Sequence, residues 1–159
     1  MSGLRVLGAV MIALSGLAGA YMLNANAKQG LSQTEAFISL LRYIRSEIEC
    51  YSMPIPRALA RCPKEILAGC GYAEKGAADS FLGLLDKCKI NDSATEKILR
   101  SLADGIGKGY RDEQLALCDN YISRLDERRR SLASELPMRK KMNSALCVSG
   151  ALAIVILLI

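Results

Sequence analysis

The chain is expected to be all-α, a helical bundle set between an N-terminal and a C-terminal transmembrane helix. Three observations lead there. Residues 6–23 and 142–159 carry no charge. At about 1.5 Å of rise per residue, each of these stretches reaches roughly 27 Å, close to the hydrocarbon thickness of a bilayer. All sixteen acidic residues, and every basic residue except Arg5, lie between them. Within that polar middle, apolar residues recur three and four apart, and no strand-like alternation competes with them. The expected organisation is an N-terminal membrane helix over 1–26, a helical domain over 27–141 and a C-terminal membrane helix over 142–159.

The middle opens on Ser32-Gln33-Thr34-Glu35, a capping box in which serine accepts from the third backbone N–H and glutamate reaches back. Phe37, Leu40, Leu41, Ile44, Ile48 and Tyr51 then place one apolar stripe on a helix over 33–51. Met53-Pro54-Ile55-Pro56 ends it, because proline lacks the N–H and restricts the residue before it. Pro56 suits the first turn of a short helix carrying Ala58, Leu59 and Cys62, and Pro63 opens another with Ile66, Leu67 and Cys70. Phe81, Leu82, Leu84 and Leu85 give one or two more helical turns. Ser93-Ala94-Thr95-Glu96 is a second capping box, before a helix with Ile98, Leu99 and Leu102. That helix stops in Asp104-Gly105-Ile106-Gly107-Lys108-Gly109, where Gly105, Gly107 or Gly109 serves as a left-handed cap.

A long helix is expected from about Asp112 to Leu136. Its seam is Leu115, Cys118, Ile122, Leu125, Arg129, Leu132 and Leu136, with Arg129 snorkelling or at an interface. It should pack antiparallel on the 33–51 helix, with the short helices closing one end. Pro137 should kink the chain where it meets the membrane.

Charge fixes an expected orientation. Residues 28–122 balance thirteen basic against thirteen acidic residues, whereas 123–141 hold seven against three. Lys28 on one side and Arg139, Lys140 and Lys141 on the other flank the apolar stretches from within. The positive-inside rule then puts the middle in the cytoplasm, near anionic lipid, and both termini outside. Aromatic residues do not interleave the basic run, so nucleic acid is not the expected partner. The alternative is export: Met1–Arg5, an apolar run and then Ala18-Gly19-Ala20 or Ala25-Asn26-Ala27 resemble a signal peptide. Its cleavage would leave an exported, tail-anchored binding domain.

Groups for catalysis are scarce. The chain has no histidine, which removes the commonest general base and metal ligand. Cys50, Cys62, Cys70, Cys88, Cys118 and Cys147 form no close pair of the metal-binding kind and read as small buried apolar residues. The glycines at 105–109 lack phosphate-loop spacing. No catalytic, cofactor-binding or metal-binding residue, and no small-molecule substrate, is expected; the chain reads as a non-enzyme. Partner contact is expected on Arg42, Arg45, Glu47, Glu49 and Arg57.

Three stretches together carry a resemblance. Residues 47–59 (EIECYSMPIPRAL) resemble a pattern of the form E-I-x-Y-x-x-x-P-L-x-x-A. Ile106-Gly107 followed by Gln114 resembles an L-G…Q element, and residues 150–159 (GALAIVILLI) resemble a glycine-containing I-V-I-L-L ending. On these the chain resembles the stage III sporulation protein AB family of endospore-forming bacteria. Tyr110 stands where that pattern has an acidic residue. The resemblance implies a two-pass protein of the mother-cell membrane, a scaffold in the secretion-like channel complex joining mother cell to forespore. By likeness to the type II secretion platform protein it also implies docking of a secretion-type ATPase, alongside other stage III sporulation channel proteins.

Overall fold

The computed structural model describes residues 2–74, 76 and 78–158, and most side chains of 2–24 and 147–158 lie outside the described residues. Helices joined by turns and short irregular segments account for all of it, with no strand among the described residues. In order they are α1 (Ser2–Tyr51), α2 (Ile55–Arg61), α3 (Lys64–Gly69), α4 (Phe81–Lys87), α5 (Ser93–Ala103) and α6 (Arg111–Leu158). Gln29–Leu132 forms one compact unit; Met1–Lys28 and Ala133–Ile159 form the other. Among the described residues no helix is long and apolar enough to cross a membrane. The two uncharged stretches that raise that expectation fall largely on side chains outside the described residues, Cys147 among them, as does the Arg139 side chain that flanks the second.

The first helix does not start at Ser32. It is already running from Ser2, and Ser32 is an exposed mid-helix residue rather than a cap. Asn24, Asn26 and Gly30 each disfavour helix by at most about 1 kcal/mol, and extending an existing helix costs no new nucleus. The apolar stripe is as expected for Phe37, Leu40, Leu41, Ile44 and Ile48, all buried. Tyr51 departs from it and is 69% exposed, since the helix ends there. Ser52 then takes φ +47°, the left-handed region, and its N–H still donates to Ile48 O at 3.0 Å.

The last helix likewise exceeds expectation: Pro137 sits inside α6, and the helix does not stop at Leu136. Its buried face is Gln114, Cys118, Tyr121, Leu125 and Leu132. Leu115, Ile122, Arg129 and Leu136 are only half-buried. The stripe is rotated because α5 lies against it, where the Ser101 and Tyr121 hydroxyls meet at 2.8 Å. Arg129 pairs with Asp126 at 2.9 Å and Glu35 at 3.8 Å.

Helices α1 and α6 run antiparallel across the unit. Glu35 faces Arg129 at 3.8 Å, Asp119 accepts from Arg45 at 2.6 Å, and Glu49 O accepts from Arg111 at 2.6 Å. As numbers rise along one helix they fall along the other. The short helices do not close one end of this pair. They line its whole length, from Ile55 beside Gly107 to Cys70, Lys89 and Asn91 around Gln33. The reason is the extent of the α1 stripe, which would otherwise stay wet over about three turns. Phe81, Leu84, Leu85, Leu99 and Leu102 supply the cover. Gly69 permits close approach, since a Cβ there would lie 2.9 Å from the Ala36 Cβ.

Two polar joints fix this layer. Gln33 is buried on α1; its Nε2 donates to Cys70 O and Lys89 O, both at 2.8 Å, and its Oε1 accepts from Asn91 N at 3.0 Å. Asp92 is the cap of α5, displacing the expected Ser93 by one residue, and accepts from Thr95 N at 2.8 Å. Arg128 of α6 holds the same carboxylate through Nε at 2.9 Å and Nη2 at 2.7 Å. A charged acceptor tied to a second helix outcompetes a serine hydroxyl. Arg128 and the cap bonds hold the Asp92 carboxyl down at about 2.

Two outcomes follow. Gln33→Leu strands two carbonyls and an N–H, and should lower the stability of the full chain in detergent by about 2–3 kcal/mol. An unchanged urea midpoint would contradict this. Asp92 has a folded pKa below its unfolded value. Its contribution is therefore complete above about pH 4 and is lost as pH falls toward 2. Asp92→Asn keeps a capping oxygen but loses the ion pair. It should cost on the order of 1–2 kcal/mol at pH 7 and flatten the acid limb of the stability curve between pH 4 and 2.

Candidate functional site

The turn after α1 and the loop before α6 converge on one cleft of about 310 Å³. One wall is Ile48 with the run Ser52, Met53, Pro54, Ile55 and Pro56; the other is Gly107, Gly109, Arg111 and Gln114. Segments far apart in sequence, the proline-bearing stretch and the Ile106-Gly107…Gln114 element, thus build a single feature. A larger hollow of about 660 Å³ lies between α2 and α3, against Leu59, Cys62, Leu67 and Tyr72. Its rim residue Glu74 is occupied by Lys87 at 2.5 Å.

The floor of the first cleft is core. Ile48 and Ile55 are buried, so this surface does not yield when touched. Pro54 and Pro56 fix the approach to α2: Pro54 takes the cap position in extended conformation, and Pro56 sits in the first turn. The loop of the opposite wall is held chiefly by Gln114, which makes three bonds to it. Gln114 Oε1 accepts from Gly107 N at 2.7 Å, while its Nε2 donates to Gly105 O at 3.3 Å and to Lys108 O. Gly107 and Gly109, with φ +81° and +102°, supply the left-handed turns; Gly105 is not one of them. Glu113 accepts from Tyr110 N at 3.1 Å, which caps the start of α6. Arg111 fastens the two walls together through its bond to Glu49 O.

The residues expected to meet a partner lie on the C-terminal part of α1 and on α2. Arg42, Glu49 and Arg57 are exposed, and Arg45 and Glu47 are half-buried. Arg45 is engaged with Glu49 and with Asp119, both at 2.6 Å. Glu47 lies beside Tyr43, whose hydroxyl pKa is raised by burial and then by that carboxylate. Of the five, Glu49 and Arg57 adjoin the cleft lining. Sequence reading assigned nothing to Ser52 or Arg111 and took Tyr110 only as a departure from pattern. The polar Gln114 falling on the buried stripe of α6 was the available signal.

The basic run of α6 is largely committed inside the unit. Arg128 is on Asp92, Arg129 and Arg130 are on Asp126, and Arg124 stacks 4.9 Å over the Tyr121 ring. Lys28, Lys140 and Lys141 are exposed, and the Arg139 side chain lies outside the described residues. The buried thiols are in the opposite state from nucleophiles. Burial pushes Cys62, Cys88 and Cys118 up to about 11 and Cys70 higher still. Among the described residues no three metal-ligating side chains come together.

The family model for stage III sporulation protein AB matches the chain over residues 5–79 and 74–159. The chain belongs to that family. No curated protein matches it. No solved structure matches it either.

If Gln114 alone holds the loop, Gln114→Leu should raise the exchange rate of the Gly107 amide at least tenfold. The change should destabilise the whole chain by no more than about 1–3 kcal/mol. Unchanged protection of that amide would show that the loop is held by something else.

Proposed function

We propose that this stage III sporulation protein AB chain is a non-enzymatic scaffold crossing the mother-cell membrane twice. Its helical unit lies on the cytoplasmic side and docks a secretion-type ATPase and other channel proteins of the sporulation complex. The observation that carries the docking role is the cleft, in which two stretches of family-like sequence meet on a rigid apolar floor. The two uncharged stretches, flanked from within by Lys28 and by Lys140 and Lys141, support the two-pass arrangement. Retention of the first segment is supported by α1, which continues as helix through both small-residue stretches at 18–20 and 25–27. A protease acting there would have to unwind it.

Deleting the gene should block spore formation after engulfment begins, and a normal spore yield would rule out the role. Topology is best read at Cys50, the exposed thiol among the described cysteines; Cys62, Cys70, Cys88 and Cys118 are buried and would stay silent in the folded protein. A membrane-impermeant maleimide should leave Cys50 unlabelled in intact cells and label it once they are opened, on a chain of uncut mass. Labelling of intact cells would favour the exported, tail-anchored form.

A further inference from the structure

We infer that the cleft between the 52–56 turn and the 105–110 loop is a docking slot for a protein segment presenting an apolar side chain next to a carboxylate. This rests on the scaffold reading above and names the partner chemistry. The volume of about 310 Å³ is at the small end of binding pockets, suited to an anchoring side chain rather than a large cofactor. The floor is apolar and fixed by the core, so the anchor would be apolar.

The rim supplies the rest. Tyr51 and Tyr110 adjoin lining residues on opposite walls and are 69% and 82% exposed. Large aromatic side chains left in water beside a preformed cleft are the residue type that dominates interface energetics. Charge selects the second half of the ligand. Lys108 stands between two lining glycines and Arg57 follows lining Pro56; both are exposed, while Arg111, which also lines the cleft, spends one guanidinium nitrogen on Glu49 O at 2.6 Å. The carboxylates nearby are already used: Glu49 by Arg45, Glu113 by the Tyr110 N–H. Asp112 reaches Arg111 only at 3.4 Å and is 93% exposed, a contact worth little in water. The rim therefore offers cations to a partner's carboxylate.

The walls are also set before any partner arrives. Ser52 holds a left-handed φ, which costs a non-glycine residue on the order of 1 kcal/mol, and Gln114 pins the facing loop. Binding would not have to order either wall, so less of its free energy is spent on closure.

The test uses the full chain in detergent, probed with twelve-residue peptides bearing Leu or Phe beside Asp or Glu. Matched peptides carry Lys for the acid or Ala for the apolar residue. The apolar–acidic peptides should bind at least tenfold tighter than either matched set. The double variant Arg57→Glu/Lys108→Glu should abolish or invert the charge preference, and Tyr110→Ala should weaken binding at least fivefold, both with thermal midpoints close to wild type, since these side chains hold neither wall. Equal binding of the matched sets, or a preference that survives both changes, would overturn the slot. So would cross-linking of position 110 to a second copy of this chain in place of the peptide. Spore counts separate the two levels: if deletion blocks spores but the Arg57→Glu/Lys108→Glu strain forms them normally, the slot falls and the scaffold stands. If deletion leaves spores normal, the scaffold falls, and peptide selectivity lost in Arg57→Glu/Lys108→Glu still upholds the slot.

Discussion

One apolar face on α1, from Phe37 to Ile48, organises the compact unit. A helix with about three buried turns on one side must find cover along all of them, and no single short helix is long enough to give it. The antiparallel partner α6 covers part through Cys118, Tyr121 and Leu125, and the short helices cover the rest with Phe81, Leu84, Leu99 and Leu102. Each remaining constraint serves this layering. Gln33 satisfies the backbone groups that the passing chain would leave unpaired. The Asp92–Arg128 pair clips α5 to α6, and Gly69 lets α3 end against Ala36.

Much of this was legible in the residues, and the failures have definite causes. Helix identity followed from spacing and from proline: α2 and α3 start where Pro54, Pro56 and Pro63 say they should. Helix starts read from capping boxes did worse. At Ser32 the local signal was sound, but nothing upstream stopped a helix already under way. At Ser93 the cap moved to Asp92 because Arg128, 36 residues away, adds a charge–charge contact that no local pattern contains. The α6 stripe turned by about one residue for the same reason, since Tyr121 and Gln114 follow partners on α5 and its loop. The cleft itself was visible only as two disconnected motifs, because a cleft is a property of the pairing and not of either strand of sequence.

Charge is distributed more thriftily than the composition implies. The run at 124–130 looks like a free cationic stripe, yet Arg128, Arg129 and Arg130 are held by Asp92 and Asp126, and Arg124 lies on a tyrosine ring. Exposed cations outside such ion pairs include Lys108 at the rim of the cleft and Lys140 and Lys141 toward the outer stretches, with Arg42, Lys64 and Lys97 on other faces of the unit. The thiols follow the same economy of placement: four of the five described are packed as small core residues, and only Cys50 faces water.

Ser52 has a consequence for which sequences can occupy this fold. Its left-handed backbone is tolerated by glycine, asparagine and aspartate, and is hard on any branched side chain. With Pro54 two residues on, the reversal after α1 is confined to a narrow alphabet. Sequence drift can therefore alter the rim tyrosines and arginines, and with them the choice of partner, while the corner that spaces the walls stays the same.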